Sequence, residues 1–385
     1  MVTERVKPDI RLITRMVPPA GNLVQGQSEL AINPELARAA AAEIAASRNH
    51  YSPAEGTVSL REAVARKIAA FNGITVDPQA KPYEVLITHG GTGALVGIAH
   101  TYLRGASALV FEPYYPYHRR IIEEFGGTTE TLPLDSATLA LDPEALRARC
   151  RELVSRAEYP LKAIVLCTPV NPTGKVFSRK ELEAIAEVCQ EFDLLCVSDE
   201  VYEHFVTGAN PHLSIASFPG MWERTITVNS FSKSWNISGW RLGYTFGHGS
   251  LIGPVFNASN VFYVCSATPL QNALGSVLMA DDSYYARHRE KFAAKRGRAV
   301  EVLEGLGFEI YDSGSAFYIW AKIPARFNDA MELNERLIRE AGVAAVPGSA
   351  FADIDAWDNC MRICIAREDD VLESALGRLE SFLSK

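Results

Sequence analysis

The sequence predicts an α/β fold: a large domain on a mainly parallel sheet covered by helices, plus a smaller α+β domain. Three observations predict it. Short continuous apolar runs recur from about residue 83, each closed by turn residues. Segments with apolar residues at helical spacing lie between them, which is the rhythm of a parallel sheet buried on both faces. After about residue 285 the rhythm gives way to a long basic helix, then strands alternating with helices. The 385 residues, 48% of them hydrophobic and 22% charged, suffice for two or three domains with a sizeable core. We read residues 1–47 as an N-terminal arm and a segment joining the small domain, 48–284 as the large domain, and 285–385 as the small one.

Residues 1–20 are charged and broken by prolines, as an arm would be. Pro34 suits a first helical turn, and residues 35–47 form an Ala-rich helix. Residues 51–56 are a loop. Ser59-Leu60-Arg61-Glu62 has capping-box spacing, and Leu60, Ala63, Val64, Ile68 and Phe71 then mark one apolar helix face. Residues 83–88 read as a strand, broken by Gly90-Gly91-Thr92-Gly93, with a helix over 94–102. The strand at 107–111 ends in Glu112-Pro113-Tyr114-Tyr115-Pro116. The strand at 163–167 ends in Thr168-Pro169-Val170-Asn171-Pro172-Thr173-Gly174. Ser178 and Glu181 then cap a helix carrying Leu182, Ile185, Ala186 and Cys189. The strand at 194–198 ends in Asp199-Glu200, and the one at 225–228 runs into Ser230-Phe231-Ser232-Lys233-Ser234. Beyond these come a helix over 285–306, strands over 315–322 and 361–366, a helix near 330–341 and a closing helix.

The polar and glycine-rich clusters all follow the C-terminal ends of strands, where ligands of open α/β sheets gather. The richest runs from Ser230 to Gly243. One lysine, Lys233, stands there among small hydroxyl residues, with Arg241 eight positions on. A lysine amine captures carbonyls once desolvation or nearby positive charge lowers its pKa. Hydroxyls and an arginine suit a phosphate. Together they point to an aldehyde with a phosphate handle, pyridoxal 5′-phosphate. The other clusters extend that reading. Gly91 and Thr92 open a helix whose N–H groups suit a phosphate. Asp199, at a buried strand end, suits a protonated ring nitrogen, and equally a helix cap or an ion pair. Asn171 suits a ring oxygen or simply a turn, Tyr202 the same oxygen or, on its own, a place in the core, and Tyr115 a flat ring face or core packing. Arg362, inside the apolar run Cys360 to Ala366, needs an anion: a substrate carboxylate or a buried carboxylate of the chain.

These residues resemble the class I/II aminotransferase family of fold-type I enzymes dependent on pyridoxal phosphate. The stretch Ser230 to Gly243 fits the family's lysine signature throughout. Gly91-Thr92-Gly93, Glu112 to Pro116, Asn171-Pro172-Thr173-Gly174, Ser198-Asp199-Glu200-Val201-Tyr202 and Arg362 follow in the family's order, from about residue 20 onward. The resemblance implies the following roles. Lys233 carries the Schiff base and moves the proton, and Asp199 partners the pyridine nitrogen. Asn171 and Tyr202 hold the phenolic oxygen, and Tyr115 stacks on the ring. Ser230, Ser232, Arg241 and the Gly91-Thr92 backbone form the phosphate cup. Arg362 anchors the substrate α-carboxylate, with Gly26 lining that pocket. Tyr51 reaches the neighbouring subunit's phosphate, which implies a homodimer. Three positions depart from the pattern. Gly26-Gln27-Ser28-Glu29 stands where Gly-x-Pro-Asp is frequent, Gly93 replaces Glu or Gln, and Val170 replaces a polar residue.

The expected activity is amino-group transfer between an L-amino acid and a 2-oxo acid. Elimination, replacement or cyclisation would use the same lysine, aspartate and phosphate cup. A non-catalytic binding module is disfavoured by the intact Lys233 and Asp199. A regulator with a DNA-binding domain has no room in the roughly twenty residues before the match, and the net charge of −8 offers nucleic acid no broad basic surface. No apolar stretch reaches membrane-spanning length, and the start lacks a signal peptide's apolar core. Seven scattered cysteines without CxxC pairs fit the reducing cytoplasm rather than a disulfide or metal framework. No metal site is expected. Tyr114, Tyr115, Phe262 and Tyr263 suit an apolar pocket or plain core packing, and no second arginine for a distal carboxylate stands out.

Overall fold

The structure is a computed structural model and describes residues 8–46, 49–208, 210–278, 283–311 and 313–385. The start of the expected arm, residues 1–7, and the boundary drawn between 47 and 48 lie outside the described residues. The first sheet comprises β1 (Val85–His89), β2 (Ser107–Glu112), β3 (Thr128–Pro133), β4 (Leu161–Cys167), β5 (Leu195–Asp199), β6 (Thr225–Ser230) and β7 (Leu242–Gly247). Its order is β1-β7-β6-β5-β4-β2-β3. Strands β3, β2, β4, β5 and β6 pair in parallel, whereas β7 runs antiparallel to both β6 and β1.

Strand β4 shows why the runs are apolar throughout. Ala163 and Val165 pack with Ile98 and Ile121 on one face of the sheet. Ile164 and Leu166 pack with Leu146, Leu182 and Ile185 on the other. Successive side chains of a strand point to opposite faces, so a strand covered on both needs no polar alternation. The covering helices begin where their caps dictate. Asn33 Oδ1 accepts from the N–H groups of Glu35 and Leu36, starting the helix Pro34–Ala45. Ser178 and Glu181 form the expected capping box before Arg179–Glu191.

The second sheet comprises β8 (Glu309–Ile310), β9 (Tyr318–Lys322), β10 (Val346–Pro347) and β11 (Cys360–Cys364), all antiparallel in the order β10-β11-β9-β8. The helices Ser283–Gly305 and Asp369–Leu383 bury Val302, Leu303, Leu376 and Leu379 with Ile319 and Ile363 of this sheet and with Phe317, just before β9. The arm is not a free tail. Its short helix Ile10–Thr14 lays Ile13 against Trp320, Phe351 and Trp357, and Leu23 bonds the backbones of Ala344 and Cys364.

The structure corrects several local expectations. The capping box proposed at Ser59 does not form. The helix Val58–Lys67 starts one residue earlier, with Thr57 at its cap. The Thr57 N–H donates to the side chain of Gln271 at 2.9 Å, a tertiary bond that fixes the helix start and leaves Ser59 inside the first turn. The helix expected over 94–102 begins at Gly90, runs to Ile98, and widens into a π-turn over Ala99–Leu103. Strands β3 and β7 were not expected. β3 carries the half-buried polar run Thr128-Thr129-Glu130-Thr131 at the sheet's edge, and β7 is interrupted by Gly243 and Gly247.

Strand β7 fixes the spacing between the lysine segment and the glycine turn after β1. A Cβ on Gly243 would lie 2.6 Å from the Gly90 carbonyl carbon and 2.7 Å from the Asn229 oxygen, both backbone atoms. Overpacking of this kind costs about 1–3 kcal/mol. Gly243→Ala should lose about that much stability in urea unfolding, and unchanged stability would show that this contact yields freely.

Candidate active site

Along the carboxyl edge of the first sheet, facing β9 and β11 of the second, lies a cavity of about 670 Å³. Of the residues expected at the site, Gly26, Gly91, Thr92, Tyr115, Asn171, Asp199, Tyr202, Ser230, Ser232, Lys233, Arg241 and Arg362 all line it. Tyr51 does not. It is 85% exposed, on a loop whose His50 carbonyl accepts from Thr268 Oγ1 at 2.6 Å.

Lys233 lies just past β6 in the short helix Phe231–Ser234, capped by Ser230, whose Oγ accepts from the Ser232 N–H at 3.2 Å. Its Nζ donates to the Gly26 carbonyl and sits 5.7 Å from the centre of the Phe317 ring. Burial lowers its pKa to about 8; Cys364 opposes the shift, the positive charges of Arg362 and Arg241 add to it, and Asp199 opposes it least. Gly26 is dictated by close approach: a Cβ there would stand 2.0 Å from the Tyr318 hydroxyl oxygen.

Asp199 closes β5 and is 4% exposed. Its Oδ2 lies 2.7 Å from His118 Nε2, and its Oδ1 accepts from the Val201 N–H at 3.3 Å. His118 comes from the first turns of the helix Pro116–Glu124, and its ring meets Tyr115 edge-on at 5.3 Å. Sequence reasoning missed it. The available signal was a histidine three residues beyond Tyr115, in a helix that starts at the same sheet edge.

Phosphate-type donors converge from three elements. The helix Gly90–Ile98 presents the start of its backbone at Gly91 and Thr92. Ser230 and Ser232 face each other, Oγ to Oγ, at 2.9 Å. Arg241 itself adopts a left-handed φ of 55° at the end of the turn Ser238–Trp240, and donates to the Ser238 carbonyl at 3.0 Å. A Cβ on Gly90 would come within 2.8 Å of its Nη2, so glycine lets the guanidinium lie against the helix start.

Arg362, on β11, is 2% exposed. Nη1 donates to Asn171 Oδ1 at 2.9 Å and Nη2 to the Val24 carbonyl. Its guanidinium packs 4.5 Å from the Tyr318 ring centre and 5.0 Å from that of Phe351. Nε finds no partner, and no carboxylate pairs with it among the described residues. The alternative of a buried structural ion pair therefore falls, and a buried cation of this kind calls for an anion from outside. Tyr318 stands on β9, diagonal to Arg362 across the pairing Arg362↔Trp320, and its hydroxyl meets that of Tyr202 at 2.8 Å. Sequence reading missed Tyr318, and also Arg11 and Arg15, which the arm's helix brings to the cavity mouth. Below Asp199, Glu203 bonds Lys67, Asn72 and Asn229, tying the turn after β5 to the helix Val58–Lys67 and to β6.

A half-buried amine of lowered pKa, a carboxylate held by a histidine, a cluster of hydroxyl, backbone N–H and guanidinium donors and an arginine without a carboxylate partner thus share one cavity. That donor set fits pyridoxal 5′-phosphate and an amino or 2-oxo acid, as the sequence suggested. The family model for aminotransferase class I and II matches residues 20–379. A Mycobacterium tuberculosis protein described as a probable N-succinyldiaminopimelate aminotransferase is 34% identical over 374 residues, covering 94% of this chain and 91% of that one. The solved structure of N-succinyldiaminopimelate aminotransferase from the same species superposes with a TM-score of 0.89 at 34% identity, covering 97% of this chain and 95% of that one. The human kynurenine–oxoglutarate transaminase 3 is 30% identical over 394 residues, covering 93% of this chain and 84% of that protein.

The depressed pKa of Lys233 has a stability consequence with a definite sign. Below pH 8 both the folded and unfolded chains carry the charge, so the burial penalty is complete. Between pH 8 and 10.5 the unfolded chain keeps a proton that the folded one has released, so stability rises. Cofactor-free protein should therefore gain on the order of a few kcal/mol across that window, and Lys233→Met should lose that gain. Parallel pH–stability curves for the two proteins would contradict a buried, depressed amine.

Proposed function

We propose, for a chain that belongs to the class I and II aminotransferases, that Lys233, Asp199 and Arg362 carry the transfer of an amino group from an L-amino acid to a 2-oxo acid. The observation that carries this reading is the half-buried Lys233 amine of lowered pKa sharing a cavity with an arginine that, among the described residues, has no carboxylate to pair with. The family works with pyridoxal 5′-phosphate. When bound, that group supplies an aldehyde that takes up the amino group and a protonated ring that stores the electron pair released at the substrate carbon.

The chain's residues divide the remaining work. Arg362 grips the substrate α-carboxylate with its planar fork, and Asn171, bonded to it, sets its orientation. With the carboxylate fixed there, the substrate Cα–H bond is aimed at Lys233. Lys233 Nζ, with a pKa of about 8, takes that proton and passes it on, close to the match between base and working pH that proton transfer needs. Asp199 holds a positive ring nitrogen by its charge, and His118 fixes the carboxylate for it. Ser230, Ser232, Arg241 and the Gly91-Thr92 backbone take the phosphate, Asn171 and Tyr202 the phenolic oxygen, and Tyr115 a ring face. The cavity keeps most of these groups away from bulk water, which strengthens every charge interaction within it.

The same proposal includes the division into 48–284 and 285–385 with 1–47 joining the latter, supported by the two sheets and by the packing of Ile13 and Leu23. It also includes a homodimer with Tyr51 reaching the other subunit's phosphate. Tyr51 at 85%, Val261 at 82% and Val264 at 49% exposure form apolar surface on neighbouring segments joined by the Thr268–His50 bond. Among the described residues no helix is long and apolar enough to cross a membrane. The reducing cytoplasm is the proposed location, supported by seven free cysteines, six of them buried.

Adding an amino donor to the holoprotein should move the cofactor's visible absorption to the near ultraviolet, and adding a 2-oxo acid should restore it. No spectral change across a broad panel of amino acids would overturn the proposal. Sedimentation should give twice the chain mass of 42.2 kDa. An active monomer would remove the role given to Tyr51.

A further inference from the structure

Two tyrosine hydroxyls face each other in the wall of the cavity. Tyr202 stands in the turn after β5 of the first sheet, and Tyr318 on β9 of the second. Their oxygens lie 2.8 Å apart, and their rings meet edge-on at 5.7 Å. Among the described residues this is the one hydrogen bond that either hydroxyl makes. Burial pushes both hydroxyls above the ordinary tyrosine range, so each keeps its proton. The pair thus brings two protons to a contact that uses one of them. The other proton is left for an acceptor elsewhere in the cavity. Tyr318 is fixed by its surroundings. Its backbone pairs with Cys364 in the second sheet, and its carbonyl accepts from Arg296 at 2.9 Å. The face of its ring takes the Arg362 guanidinium at 4.5 Å, and its hydroxyl fills the space beside Gly26 where a Cβ would stand.

We propose that Tyr318 is a positioning residue: its hydroxyl donates to Tyr202, which leaves the Tyr202 proton for the cofactor's phenolic oxygen. The inference rests on the aminotransferase reading, in which Tyr202 takes that oxygen. An ionised phenolic oxygen only accepts, so it claims the Tyr202 proton. The proton of the 2.8 Å contact must then come from Tyr318. Linked hydrogen bonds polarise one another in a low-dielectric interior, so this donation makes Tyr202 the stronger donor. Without it the Tyr202 hydroxyl rotates about its C–O bond and holds the phenolic oxygen less well. The residue whose ring packs on Arg362, the substrate's anchor, thereby also sets the group that faces the cofactor.

The test is a pH titration of the visible absorption of the holoprotein, loaded with pyridoxal 5′-phosphate, in four forms: unaltered, Tyr318→Phe, Tyr202→Phe and the double variant. A hydrogen bond to an ionised oxygen favours the ionised form, so losing it makes the bound cofactor keep its proton to higher pH. Tyr318→Phe should therefore raise the midpoint by about 0.5–1 pH unit. Tyr202→Phe should raise it at least as far, and adding Tyr318→Phe to it should shift it no further, because the two hydroxyls act in series. With the phenylalanine ring still packed on Arg362, kcat should fall while KM for the amino donor stays within about twofold. A midpoint unmoved or lowered by Tyr318→Phe, or raised by it equally with and without the Tyr202 hydroxyl, would overturn the proposal. A colourless unaltered protein would overturn the parent reading and this one together, whereas a coloured one indifferent to Tyr318→Phe would overturn this one alone.

Discussion

The amine of Lys233 is half-buried in a cavity that Arg241 and Arg362 also line, and the rest of the site is arranged around that constraint. A protonated lysine there would be both desolvated and repelled. That cost brings the pKa down to about 8, so the neutral form that a carbonyl-capturing amine needs is reached well below the ordinary lysine range. Burial causes most of the shift, and the two arginines that add to it are a guanidinium laid against the start of the helix Gly90–Ile98 and one without a carboxylate from the chain.

Two sheets make this arrangement possible. The parallel sheet supplies Asp199, Asn171 and the serines from turns at its carboxyl edge, each fixed by strands buried on both faces. The antiparallel sheet supplies Arg362 and Tyr318 from adjacent strands, with the guanidinium packed on aromatic rings. Contacts tie the two together across the cavity: Asn171 to Arg362, Tyr202 to Tyr318, and Lys233 to Gly26. Gly26 must lack a side chain because the Tyr318 hydroxyl occupies the space a Cβ would take. This explains why the glycine is needed although the residues after it, Gln27-Ser28-Glu29, depart from the familiar pattern.

Much of this was legible in the sequence because the local signals agree with the tertiary ones. Short β-branched apolar runs such as Ile164-Val165-Leu166, closed by turn residues, read as strands covered on both faces, which places the residues after them at one edge. What escaped reading depends on distant partners. His118 looks like an ordinary helix residue until the fold brings it to Asp199, 81 positions away. Ser59 has the spacing of a cap, yet a bond between Thr57 and Gln271 moves the helix start. Strand β3 is polar because one side of the sheet's edge is only partly covered, and β7 hides behind glycines that its close packing requires. Arg11 and Arg15 belong to a segment that resembles a loose arm. Only the packing of Ile13 against Trp320 and Trp357 shows where it goes.

The central claim is that the amine at position 233 is the group that binds the cofactor covalently. Its direct test is reduction of the holoprotein with borohydride, proteolysis and mass spectrometry of the peptides. The account predicts a single pyridoxyl group on Lys233, absent from Lys233→Ala carried through the same treatment. A protein that fixes no such group after incubation with pyridoxal 5′-phosphate, or fixes it on another lysine, would contradict it.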